Sequence, residues 1–226
     1  MASTVRVWDL PTRIFHWALA AYVIGLVSTA QIGGAAMAWH FRFGYAVLCL
    51  LLFRLVWGIA GGRWSRFASF VYSPTIILRY VKGQGLPEHA IGHNPLGAGS
   101  VFAMLGFLLM QVATGLISDD EIAAAGPFSR YVSSAIVRNA TFYHRNIGKY
   151  ILIGLVLLHL GAISFYFFRK HENLLRPMLR GDKETTIDVQ SSRDDAGSRT
   201  LALAILLGCL SLVLWLIDWA GQATGN

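Results

Sequence analysis

The chain is poor in charge: of its 226 residues only 14% are Asp, Glu, Lys or Arg, against 55% apolar. That balance excludes intrinsic disorder, which needs few apolar groups and abundant charge. Cysteine is nearly absent. Cys49 and Cys209 lie inside apolar runs, and neither belongs to a C-x-x-C or C-x-x-C-H pattern. A disulfide-stapled module, a cysteine-held zinc and covalent haem attachment are therefore unsupported. No internal repeat or low-complexity tract appears, and no collagen-like glycine period.

Hydrophobic length is what the chain has instead. Five apolar runs, residues 14–30, 39–61, 95–117, 143–168 and 199–219, reach or exceed the span of about 17–25 residues that carries a helix across a hydrocarbon layer. Only a helix or a closed barrel satisfies its own backbone in lipid, and the alternating pattern of barrel strands is missing. The expected fold is an all-α membrane protein. The first run is entered through Asp9, Pro11 and Thr12, a capping sequence with proline allowed in the first turn. Ser28-Thr29-Ala30 has the look of a signal-peptide cleavage site, but a run containing His16 and Trp17 is a poor disposable core, and a retained helix is expected.

The net charge of +7 has a location. Thirteen of the 19 Lys and Arg fall in three segments: Arg6 and Arg13; Arg63, Arg66, Arg79 and Lys82; and Arg169, Lys170, Arg176, Arg180, Lys183, Arg193 and Arg199. Arg42, Arg130, Arg138, Arg145 and Lys149 flank the spans on the other side, near Asp119, Asp120 and Glu121, and Arg54 lies within the second span. Lys and Arg gather on the cytoplasmic side of a membrane. An inner-membrane protein with a cytoplasmic N-terminus and a periplasmic C-terminus is expected, with lipid and not nucleic acid as the charge's partner. Residues 63–80 mix Phe67, Phe70, Val71, Ile76 and Ile77 with Arg66 and Arg79, which suits an interfacial amphipathic segment or a plain loop. Residues 182–199 are polar and turn-rich and suggest a flexible cytoplasmic linker.

Four of the seven histidines sort by depth. His16 lies near the inner end of the first span, and His40 opens the second on the outer side. His144 opens the fourth, and His159 follows at about 22 Å of helical rise, on broadly one face of a regular helix. An ionisable residue inside a membrane is a functional candidate by default, although a lone histidine equally suits a hydrogen bond between helices. As a matched set the four suit haem iron, which takes two imidazole nitrogens from opposite sides at one depth. Depth pairs His16 with His159 and His40 with His144. Zinc fits less well, since it gathers three or four ligands in one shell.

Four stretches carry a resemblance: V-W-D-L-P-T-R-I-F-H-W (residues 7–17), H-F-R-F-G-Y-A-V-L-C-L-L-L-F-R-L-V-W-G (40–58), G-H-N-P-L-G (92–97) and L-L-H-L-G-A-I-S-F-Y-F-F-R-K-H-E-N-L-L-R-P-M-L-R-G (157–181). They resemble prokaryotic cytochrome b561, in particular the branch similar to the cytochrome b subunit of nickel-iron hydrogenase. The resemblance implies a four-helix transmembrane core holding two b-type haems, with His16 and His159 on the inner iron and His40 and His144 on the outer. Electrons would pass between quinone and a periplasmic partner such as a c-type cytochrome. Quinol oxidation would be the only bond-making chemistry, and no catalytic residue is assigned. A haem-bearing anchor for a hydrogenase- or formate-dehydrogenase-like enzyme is an alternative, and a histidine-lined proton transporter a second.

The expected division is a dihaem domain at 1–184, a cytoplasmic linker at 185–198 and an additional fifth membrane helix at 199–226. Residues 118–143 form the natural docking area for a periplasmic partner. Arg54, about 21 Å along the second span from His40, would meet a propionate of the inner haem or else snorkel to the surface. Arg13, Arg42, Arg145 and Lys149 are further propionate candidates. Gly115 and five other glycines in the spans suit either a close-lying macrocycle or close helix packing. His93 marks the start of the third span or exchanges protons with quinone; His89 and His171 are expected at the surface.

Overall fold

The computed structural model describes residues 3–121 and 124–222. Residues 122–123 of the expected docking segment, and the ends of the first and last expected domains (1–2 and 223–226), lie outside the described residues. Among the described residues, five helical segments are long and apolar enough to cross a membrane: Leu10–Ile32, Gly34–Ala60, Pro95–Ile117, Ser134–Arg169 and Ala196–Gln222. Many large apolar side chains on them point outward, including Leu157, Leu158, Phe168, Leu214 and Trp215. In water that surface would drive aggregation, whereas in lipid it costs nothing. The chain is a multi-pass membrane protein.

Strand β1 (Ser3–Arg6) precedes helix α1 (Leu10–Ile32). The α1 start is fixed by Asp9, whose Oδ1 accepts the Thr12 N–H at 2.8 Å, satisfying a helix-end donor that nothing else could reach. Between α1 and α2 (Met37–Ala60) the backbone turns through Gly33 and Gly34 at φ +68° and +53°, left-handed values that side chains resist.

After α2 come two single 3-10 turns, Arg63–Ser65 and Phe67–Ser69, and then α3 (Pro74–Val81), capped by Ser73. This segment is ordered and amphipathic, with Leu78 and Val81 exposed. Helix α4 (Pro95–Ile117) has the bounds read from the sequence, because Asn94 Oδ1 accepts the Gly97 N–H at 2.8 Å and Pro95 occupies the first turn.

The fourth span departs from expectation. It begins at α5 (Ser134–Phe142), passes through a π-helical stretch at Tyr143–Gly148, and continues as α6 (Lys149–Arg169). Arg138 and Asn139 interrupt the apolar run, so hydropathy ends it early, while the Ser133 cap extends the helix. The chain then forms α7 (Leu175–Arg180), β2 (Asp182–Thr185) and α8 (Ala196–Gln222).

The expected flexible linker is not what the structure shows. β2 pairs antiparallel with β1, in register from Ser3 with Thr185 to Arg6 with Asp182. Ser192 is buried, its Oγ donating to the Val7 carbonyl at 2.8 Å. Asp194, with 5% of its side chain exposed, takes Arg6 at 2.5 Å and Arg199 at 3.1 Å. Its Oδ1 also accepts the Leu10 N–H at 3.1 Å. Polar composition suggested mobility, but these polar groups find partners nearly the whole chain length away.

That pairing has a topological consequence: β1 and β2 must lie on one side of a membrane, which the four candidate spans between them, an even number, allow. The basic segments also meet. Arg63 Nη1 donates to Gln190 Oε1 at 2.9 Å, and Lys183 Nζ reaches Glu172 at 2.5 Å and the Ala90 carbonyl.

Contacts divide the described residues into two compact units. One draws on Met1–His16, Arg54–Ala103 and Leu155–Ile205, the other on Trp17–Phe53, Met104–Gly154 and Leu206–Asn226. The first contains β1, β2 and a cluster of Val5, Val7, Trp8 and Ile91. In the second, Cys49 Sγ lies 4.0 Å from the Leu206 carbonyl, and Tyr131 stacks on Trp219 at 5.1 Å.

Candidate haem sites

Each unit contains one histidine couple. In the first, the rings of His16 (α1) and His159 (α6) lie 6.3 Å apart between centres, inclined at 52°. In the second, the rings of His40 (α2) and His144 (in the π stretch) lie 6.2 Å apart at 86°. These are called the inner and outer couples after their expected depths. A metal–imidazole bond of about 2.0 Å plus about 1.1 Å from nitrogen to ring centre puts two axial imidazoles on one iron about 6.2 Å apart. Both couples fit that spacing. Among the described residues no group of three or more His, Cys, Asp or Glu gathers to hold a metal, so a tetrahedral shell has no donors.

The outer couple is oriented by backbone. His144 Nδ1 lies 2.9 Å from the Gln111 carbonyl and His40 Nδ1 3.1 Å from the Leu26 carbonyl. A carbonyl oxygen only accepts, so each Nδ1 carries the hydrogen and each Nε2 keeps its lone pair for a metal. Gln111 also donates from Nε2 to the His144 carbonyl at 2.9 Å. His144 lies in the π stretch, a feature frequent at functional sites. Gly115 makes room: a Cβ there would stand 2.7 Å from His144 Cε1.

The unit that contains the inner couple also buries an arginine. Arg54 is only 3% exposed, and its guanidinium carbon lies 4.5 Å from the Phe67 ring centre. Its Nη1 is buried with no hydrogen-bond partner among the described residues. A buried cationic donor without an acceptor is uncommon and suits an anionic group such as a haem propionate. Arg13 donates from Nη1 to the Leu179 carbonyl at 2.7 Å and approaches Asp194 at 4.0 Å, while its Nε, like Arg54 Nη1, is buried with no hydrogen-bond partner among the described residues. Arg42 lies over Trp39 and Lys149 over Tyr150.

Two neighbours were not legible as part of this environment. Asp9, 0% exposed, accepts from Thr12 N at 2.8 Å and Trp57 Nε1 at 3.2 Å on Oδ1, and from Ser65 Oγ at 2.7 Å and Gly62 N at 3.1 Å on Oδ2. Four donors satisfy the carboxylate and anchor the start of α1 to the end of α2. His93 is wedged between Trp8 and Phe70, at 4.6 and 4.5 Å between ring centres, with Nδ1 buried. Burial first, then the nearby charges of Arg54, His159 and His16, push its pKa down to about 3, so its ring is neutral. The only sequence signals were an acid before a proline and a histidine beside an Asn-Pro start. His89 packs edge-on against Tyr72, and His171 is exposed, with φ +53°.

Apolar helices with paired histidines are the kind of frame a membrane-embedded b-type cytochrome needs. Residues 7–181 match the model of prokaryotic cytochrome b561, and the chain belongs to that family. Curated relatives point the same way, each named a probable Ni/Fe-hydrogenase B-type cytochrome subunit. The one from Bradyrhizobium diazoefficiens is 22% identical over 80% of this chain and 86% of its own. That from Rhizobium leguminosarum bv. viciae is 22% identical over 80% and 89%, and that from Rhodobacter capsulatus 24% over 80% and 82%. The chain is thus a membrane haem b electron-transfer protein. The family match ends before α8, which lies outside it.

Proposed function

We propose that the chain holds two b-type haems and relays electrons across the bacterial inner membrane between quinone and a periplasmic redox partner. The observation that carries this reading is the pair of imidazole couples at 6.3 and 6.2 Å. When bound, each haem iron supplies a one-electron couple, ferric to ferrous. The chain's own residues do the rest. His16 and His159 would present nitrogens to the inner iron, and His40 and His144 to the outer. Hydrogen bonds from the outer Nδ1 atoms hold those rings in one tautomer and raise the basicity of Nε2. Arg54 would take a propionate of the inner haem, and the apolar helix walls keep water from the irons.

The Lys and Arg distribution supports a cytoplasmic N-terminus and a periplasmic C-terminus. On this reading α1, α2, α4 and the α5–α6 helix form the dihaem core, with α8 added outside it. Residues 185–198 then belong with the ordered N-terminal head.

A second reading is favoured by the relatives' names: the chain anchors a hydrogenase-like enzyme at the membrane and accepts its electrons. It uses the same haems and differs in the partner, which could dock on residues 118–143. Stable co-purification with a large enzyme subunit supports it, and reduction of the isolated chain by quinol supports the free carrier. Family membership favours either over a histidine proton path. A reduced-minus-oxidised spectrum with haem quantification tests the shared core: two b-type haems per chain are expected, and one or none overturns the dihaem assignment.

A further inference from the structure

The segment between α2 and α4 contains a cleft of about 480 Å³, within the usual range of about 300–1,000 Å³ for small-molecule sites. Its lining includes Arg63, Trp64, Arg66, Tyr72, Glu88 and His89. We propose that this cleft binds the headgroup of a monoanionic, hydroxyl-bearing phospholipid, phosphatidylglycerol.

The lining supplies donors of the kind a phosphodiester takes. Arg63 is held in place by Gln190 Oε1 at 2.9 Å, and Trp64 by its indole N–H on the Gln190 carbonyl at 3.1 Å. The Arg63 guanidinium still has donors to spare after that bond. Arg66 is exposed, and its guanidinium has no hydrogen bond or ion pair among the described residues. His89 Nδ1 accepts the Leu86 N–H at 3.1 Å, so its other ring nitrogen carries the hydrogen and can donate. Two guanidiniums and an imidazole N–H suit an anionic phosphate.

Glu88 decides the class of headgroup. It leaves the cleft with one net positive charge, which a single phosphodiester neutralises, and its carboxylate accepts the hydroxyls of a glycerol headgroup. A phosphate monoester would bring excess negative charge against Glu88. The surroundings match a lipid as the source: Val71, Leu78, Val81 and Leu86 are all exposed on this same segment, where acyl chains would cover them. Tyr72 forms a wall of the cleft, its hydroxyl turned away to the His93 carbonyl at 2.9 Å.

The test uses purified, delipidated cytochrome with its haem in detergent, titrated with dihexanoyl phosphatidylglycerol and followed by native mass spectrometry. Saturable binding of one molecule is expected, weakened about tenfold in Arg63→Gln/Arg66→Gln as two charge-assisted contacts are lost. Phosphatidylethanolamine of equal chain length should bind more weakly, and equimolar inorganic phosphate should not compete. Unchanged affinity in the double variant overturns the proposal. Competition by phosphate identifies a free-anion site and overturns the lipid assignment. Should the double variant lose its haem spectrum, Arg66→Gln alone, at an exposed position, carries the test with an expected loss of about threefold.

Discussion

At the outer couple, the neighbours that orient the rings are backbone carbonyls, of Leu26 for His40 and of Gln111 for His144. The inner couple has ionisable side chains in its unit: Arg54, with a buried Nη1 that has no hydrogen-bond partner among the described residues, and His93, whose pKa is pushed down first by burial and then by the charges of Arg54, His159 and His16. The two ring separations differ by only 0.1 Å. The same spacing thus occurs in two different surroundings. A backbone acceptor survives any substitution of its own side chain, so the orientation of the outer rings is robust. Charged neighbours can be changed singly, so the inner site is where potential can be set by mutation.

The sharpest way to break this comparison is to remove ligands. His40→Ala or His144→Ala should each abolish the same haem and leave half the b-type haem content, and His16→Ala or His159→Ala should abolish the other. Haem quantification with redox titration reads this directly, and a crossed pattern refutes the pairing. Next in size is Gly115→Ala, which forces a methyl group against His144. Overpacking of that kind costs about 1–3 kcal/mol, so the outer haem should be held about tenfold or more less tightly while the inner is unchanged.

Arg54→Ala removes a positive charge from the inner environment and should lower only the inner potential. The shift should be on the order of 60 mV, a tenfold change in a one-electron equilibrium; an equal shift at both haems would erase the contrast between the couples.

The smallest effect is expected at Asp194, which ties the head together without touching either couple. Burial pushes its pKa up, but hydrogen bonds from Arg199, the Leu10 N–H and Arg6 outweigh this and hold it below the ordinary carboxylate value. Its contribution is therefore present above the unfolded pKa of about 3.9 and fades as pH falls through the lower folded value. Asp194→Asn should cost about 1–2 kcal/mol at pH 7 and flatten the acid limb of the unfolding profile, with both potentials unmoved.

What could be read in the sequence followed from long, regular signals. Hydropathy located five helical segments, and the Asn94-Pro95 start gave α4 its bounds. The histidines could be grouped because helical rise converts residue number into depth. Contacts between distant residues left no such trace. Residues 182–199 look like a polar tether because Asp182, Ser192 and Asp194 find partners at Arg6, Val7 and Leu10, far off in the chain. The π stretch at Tyr143–Gly148 was equally hidden. A regular-helix phase cannot be carried through it, so the expectation that His144 and His159 share a face rested on an idealised helix. Asp9 and His93 drew attention only as cap and loop residues, since burial is a property of neighbours.

The pairing of β1 with β2 also constrains when the molecule can be finished. The partner of Ser3 is Thr185, so at about 5–20 residues per second the first strand waits roughly ten to forty seconds for its mate to be synthesised. Throughout that interval the leading segment must be kept on its own side of the bilayer with its edge unpaired. Closing the two-stranded ribbon is therefore a late event in biogenesis, possible only after the four long apolar helices between its strands have been made.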